Sequence, residues 1–139
     1  MIQSEFIKNI LDLTFDNYEF SDLLRKQIPF LSELDRNYTG SGVFVNFVSD
    51  KEIEGYKIDT DKVTNFDTDG NAIEILNGVE IRNDSLDILA DASVYLTNGL
   101  IDSVEIWNKN GQDYLLTDPE HYELHQIWID IPKRRTIVK

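Results

Sequence analysis

At 139 residues with 41% apolar and 11% aromatic content, the chain is sized for one hydrophobic core and one domain, residues 1–139. Thirteen bases against 26 acids give a net charge of −13, which repels phosphate backbones and anionic lipid and argues against nucleic-acid and membrane-surface partners. The absence of cysteine excludes disulfides, thiolate catalysis and Cys-ligated metals.

The charge is unevenly spread. Lys133, Arg134, Arg135 and Lys139 hold four of the bases in the last seven residues, so the preceding 132 residues carry nine bases against 26 acids, −17. Such a body steers a basic protein inward, although plain solubility accounts for the same charge. No apolar run approaches the roughly eighteen residues of a membrane span, and MIQSEFIKNI lacks the basic-then-apolar pattern of a signal peptide. A cytoplasmic protein is expected.

In chain order, Phe6, Ile7, Ile10 and Leu11 recur at helical spacing between Ser4, a suitable N-cap, and Phe15. A break is expected at Asp16-Asn17, and Ser21-Asp22 can cap a second helix carrying Leu23, Leu24 and Ile28, which Pro29 should end. Each helix has one apolar stripe suited to covering a sheet. Phe30 to Tyr38 reads as extended. Thr39-Gly40-Ser41-Gly42 is turn chemistry, and Val43 to Val48 is β-prone with Val43, Val45 and Phe47 on one face. Residues 49 to 71 form a polar stretch expected to be weakly structured or an edge. Ala72 to Leu76 and Val79 to Arg82 read as short strands interrupted by a turn or bulge at Asn77-Gly78.

Ala90 to Trp107 is a hairpin around Thr97-Asn98-Gly99. A two-residue turn would set Val94 opposite Ser103 and mismatch the faces, so a three-residue turn with Gly99 in the left-handed conformation is expected, pairing Leu96 with Leu100 and Ala92 with Val104. One face then carries Ala90, Ala92, Val94, Leu96, Leu100, Val104 and Ile106. The other carries Asp91, Ser93, Tyr95, Ile101, Ser103, Glu105 and Trp107, with Asp91 opposite Glu105. Two facing acids need a compensating group, for which a carboxy-terminal base is the simplest choice. Asp91, Tyr95, Glu105 and Trp107 form the candidate binding set, since Tyr and Trp are interface anchors; packing beneath the 49–71 loop is the alternative. Beyond Trp107 the pattern gives a turn at Asn108 to Gly111, a short strand at Tyr114 to Leu116, and an alternating strand from Glu123 to Ile131 with Ile127, Ile129 and Ile131 on one face. Two helices followed by strands with short turns make an α+β domain, with both amino-terminal helices on one face of a mainly antiparallel sheet.

Candidate chemistry is sparse. Gly40-Ser41-Gly42 lacks a phosphate-loop spacing and precedes a strand. Asn65, Asp67, Asp69, Gly70 and Asn71 echo a calcium loop, but its twelfth position is Leu76 instead of glutamate. His121, Glu123 and His125 could hold a metal or pair an imidazole with a carboxylate on either a helix or a strand, which makes a small metal-dependent hydrolase the alternative to a binding protein. No resident metal or cofactor is expected.

The run DRNYTGSGVFVNF, Asp35 to Phe47, followed by NGLIDSVEIW, Asn98 to Trp107, resembles a group of small single-domain bacterial proteins of uncharacterised function. Their pattern is R-x-Y-T-G-x-G-[FV]-[FY], then G-x-I-x-x-[LV]-E-[IG], and some resemble immunity proteins of toxin–immunity loci. The resemblance spans residues 23 to 124, and Val43 stands where phenylalanine is commoner. It implies a structural signature of Arg36, Tyr38, Gly40, Gly42 and Glu105, beside the turn residue Gly99, with Arg36 pairing Glu105; it brings no catalytic residue. The expected function is therefore that of an acidic, non-enzymatic protein-binding domain, an immunity protein against a basic toxin domain. A structural or regulatory domain with no small ligand, self-associating as a homodimer through a sheet edge, is a further alternative.

Overall fold

The computed structural model describes residues 1–16 and 18–139; Asn17, half of the expected interhelical break, lies outside them. Helix α1 spans Glu5–Phe15, capped by the Ser4 hydroxyl, which accepts from the Ile7 N–H at 3.1 Å. It buries Phe6, Ile7, Ile10, Leu11, Leu13 and Phe15. Helix α2 spans Ser21–Gln27, and here the expected cap fails. Ser21 is already helical, the N-cap position is Phe20, and no side chain caps it. The helix ends before Pro29, but Ile28 keeps helical angles because the chain continues as a single 3₁₀ turn through Phe30.

Seven strands follow: β1 Leu31–Tyr38, β2 Gly42–Ser49, β3 Ile73–Asn83, β4 Ile88–Thr97, β5 Leu100–Asn108, β6 Glu123–Gln126 and β7 Thr136–Val138. They form one antiparallel sheet in the order β1-β2-β5-β4-β3-β6-β7. Both helices lie on the same face, α1 against β3, β4 and β6, and α2 against β5. The protein is thus α+β, with its core between the helices and one sheet face, where Val43, Val45 and Phe47 of β2 meet Ala90, Ala92, Val94 and Leu96 of β4. Asn77-Gly78 is a bulge within one long strand β3.

The β4–β5 hairpin corrects the expected register. Asn98 (φ 50°) and Gly99 (φ 81°) form a two-residue turn with positive φ at both positions, so Thr97 pairs with Leu100 and Leu96 with Ile101. A bulge at Asp102 then shifts the phase by one residue, and Val94 meets Val104, Ala92 meets Ile106 and Asp91 meets Trp107. The sequence thereby satisfies both the preferred turn and the matched apolar faces. Ile101, placed on the outer face from the pattern, is buried, and Leu100 is only half-buried. Gly99 has a second reason to be glycine: a Cβ there would lie 2.4 Å from the Ile58 carbonyl oxygen.

Buried polar groups lock this end of the sheet. The fully buried Gln27 donates to the carbonyls of Tyr56 (2.9 Å) and Gly99 (3.0 Å) and accepts from the Ile101 N–H (2.9 Å). The 49–71 stretch contributes a 3₁₀ segment, Lys51–Tyr56, and the buried Ile53 and Ile58. Its Asp67 closes an Asx-type turn, with both carboxylate oxygens taken by donors of Asp69 and Asn71.

The carboxy-terminal part departs most from expectation. Tyr114 to Leu116 forms no strand; Tyr114 is instead buried beside the Gly40 turn. Strand β6 stops at Gln126, and its buried residues are Leu124 and Gln126, not the isoleucines, because the chain turns away at Ile127 toward Pro132. Two of the terminal bases fold back on α1 and its C-cap. Arg135 forks onto Asp16 (2.7 and 2.9 Å) and reaches Asp12 (3.2 Å), while Lys139 meets Glu5 (3.1 Å). The Arg135 hydrogen bond, helped by Gln126 and Arg25, holds Asp16 well below the usual carboxylate range against the opposing effect of burial.

Candidate functional site

The sheet face away from the helices is open, and its side chains follow from the register. One transverse row runs Gly42, Trp107, Asp91, Glu80, His125 and Thr136 across β2, β5, β4, β3, β6 and β7. The next row holds Phe44, Glu105 and Ser93. Glycine at 42 is required here, since a Cβ would lie 2.2 Å from the Ile106 carbonyl oxygen.

All four residues of the candidate binding set are brought together on this face, but not in the expected pairing. Asp91 lies opposite Trp107, and Glu105 opposite Ser93. The compensating base for Asp91 is Lys109 at 2.9 Å, not a carboxy-terminal residue. Lys109 also binds Glu80 at 2.8 Å, which Arg82 contacts at 2.6 Å. Burial raises the Glu80 pKa, yet these two cations outweigh it and hold the carboxyl below its ordinary range. The Glu80 hydrogen bond in turn raises the Lys109 pKa.

Glu105 has a different environment. Its carboxylate accepts from the Tyr95 hydroxyl at 2.9 Å, Phe44 lies directly opposite on β2, and the Phe44 and Tyr95 rings sit 6.1 Å apart. Burial, and then the bond to Glu105, pushes the Tyr95 phenol up to about 12. Beside this group a groove of about 370 Å³ is lined by Asn77, Asp91, Ser93, Glu105, Trp107 and Trp128. The two indoles are 52% and 70% exposed, so Trp107 does not pack beneath a loop.

Trp128 was hidden in the sequence by the apparent alternation from Glu123 to Ile131; Pro132, close behind it, is the signal that the strand could not continue. Its loop is held from both sides. Arg134 donates to the carbonyls of Ile127 (3.0 Å) and Ile129 (2.6 Å), and the Ile127 N–H donates to Gly78 O at 2.9 Å. The β3 bulge gives Gly78 a φ of 118° and leaves its Cα side facing Trp128.

Of the signature residues, Gly42 and Glu105 lie on this face, whereas Arg36, Tyr38 and Gly40 lie elsewhere and have structural partners. Arg36 pairs with Asp118 (2.6 Å) and Glu33 (2.7 Å), not with Glu105. Asp118 also accepts from the Ser4 hydroxyl at 2.5 Å, and the Tyr38 hydroxyl donates to the Leu116 carbonyl. The Gly40 carbonyl accepts from Tyr114 N–H (2.7 Å) and the Ser41 carbonyl from Asn108 N–H (2.8 Å). The Arg36–Gly42 run is therefore a clamp that seats the 108–118 segment, with its backbone committed to those bonds. His125 contacts Glu123 at 3.0 Å, while the His121 carbonyl accepts from Asn83. Among the described residues no group of three or more His, Asp or Glu side chains is placed to hold a metal ion. Nor does any described helix have the length and apolarity to cross a membrane.

Fold and face together define an α+β protein whose helix-free sheet surface is aromatic and acidic. Comparison with protein-family models, with curated proteins and with solved structures finds no match.

Proposed function

We propose that this chain is an acidic, non-enzymatic protein-binding domain of the bacterial cytoplasm, an immunity protein that neutralises a basic toxin domain through its helix-free sheet face. The observation that carries the reading is the position of both tryptophans. They are exposed together on the one sheet face the helices leave open, beside Asp91 and Glu105, on a chain of net charge −13. Exposed Trp with adjacent desolvated charge is the composition of an interface hot spot, and the long-range negative field accelerates encounter with a cation-rich partner. The Arg36–Gly42 and Gly99–Glu105 motifs resemble small bacterial proteins of uncharacterised function, some of which resemble immunity proteins, and this is consistent with the same reading.

The test is calorimetric titration of the purified protein with the basic proteins encoded beside its gene. Tight association that weakens steeply with added salt, and that Trp107→Ala with Trp128→Ala abolishes, is expected. No association with any neighbouring gene product overturns the proposal.

A further inference from the structure

Three carboxylates line or adjoin the groove, and they are not equivalent. Glu80 and Asp91 are neutralised by Arg82 and Lys109. Glu105 is half-buried among Phe44, Tyr95 and the groove, and among the described residues its side chain is met only by the neutral Tyr95 hydroxyl. A partly desolvated carboxylate without a cation costs free energy that an incoming cation recovers.

The remaining geometry says what kind of cation. Two indoles border the same groove, and a guanidinium is planar, weakly hydrated and stacks on indole faces while forking onto a carboxylate. An ammonium fits this less well, being compact and strongly hydrated. The backbone on either side of Trp128 is held by Arg134 and Gly78, and the Glu105 carboxylate by the Tyr95 hydroxyl, which reduces the ordering that binding must pay.

We infer that the groove between Trp107 and Trp128 is a receptor for a single arginine side chain presented by the partner, with Glu105 as its counter-ion. This rests on the protein-binding reading above and adds the chemistry of its central contact.

The chain has only two tryptophans and both line the groove, so indole fluorescence excited at the red edge reports binding there, and its dependence on Glu105 separates the groove from the two other clefts that Trp128 borders. The probes are the pentapeptide Gly-Gly-Arg-Gly-Gly and its citrulline counterpart, which has the same shape without charge. Saturable change with the arginine peptide, at least about tenfold weaker binding of the citrulline peptide, and a similar loss in Glu105→Gln support the inference. Circular dichroism of the isosteric variant verifies its fold. Equal response to both peptides, no saturable response, or full binding by Glu105→Gln overturns it. The wider reading is tested apart: a basic protein that binds the wild type, and binds Glu105→Gln equally well, removes the arginine receptor and leaves the protein-binding function standing.

Discussion

Gln27→Met tests whether hydrogen bonding, and not packing, secures the hairpin turn. The native amide is fully buried and bonds Tyr56 O, Gly99 O and Ile101 N–H at 2.9 to 3.0 Å. Methionine fills nearly the same volume with no donor or acceptor, so the cavity cost is small. Gly99 O keeps one partner in the Ile58 N–H at 3.2 Å, but the Ile101 N–H and Tyr56 O lose theirs. At about 1–3 kcal/mol for each of the two groups left unpaired, the loss is about 2–6 kcal/mol, a large part of the roughly 5–15 kcal/mol that stabilises a typical domain. Urea unfolding followed by far-ultraviolet circular dichroism measures it, read from the midpoint at unchanged m. Gln27→Ala should cost more by the added cavity. A loss below about 0.5 kcal/mol in Gln27→Met would refute the reasoning, showing that the turn holds without the amide.

Two further outcomes follow from the electrostatics. Asp118→Ala removes the shared acceptor of Arg36 and Ser4, and should lower stability by about 1–2 kcal/mol, a fall of about 3–8 °C in Tm. Because the Ser4 hydroxyl donates to Asp118, Ser4→Ala and Asp118→Ala should be non-additive in a double-mutant cycle, the loss of the α1 cap being a separate additive cost of Ser4→Ala; simple additivity would show that the contact carries no energy. For Tyr95, the folded pKa of about 12 lies above the ordinary 10.0, so the folded chain holds the proton longer. The stabilisation is complete below about pH 10 and is lost as pH rises through 12. Glu105→Gln should bring the Tyr95 titration, followed by NMR of the ring carbon bearing the hydroxyl, back toward 10.0, and an unmoved titration would refute the pairing.

Local patterns of the sequence were enough to place α1, its Ser4 cap, the buried face of β2, the irregularity at Asn77-Gly78 and the α+β class. Each depends on the spacing of apolar residues or on the backbone freedom of one or two residues, information held within a few positions of the chain. They also put Asp91, Tyr95, Glu105 and Trp107 on one face of a hairpin. The partners of those residues were not legible, because they are set by neighbours distant in sequence. The two-residue turn and the bulge at Asp102, each shifting the pairing by one residue, together moved Asp91 from Glu105 to Trp107. The strand order brought β3 and the segment after β6 alongside, placing Lys109 between Asp91 and Glu80 and Trp128 across the groove from Trp107. Arg36 found Asp118, 82 residues away, because the 108–118 segment folds back onto the Gly40 turn. Alternation of side chains decided which residues face away from the helices; tertiary contacts alone decided which carboxylates are neutralised there and, among the described residues, left Glu105 without a cation.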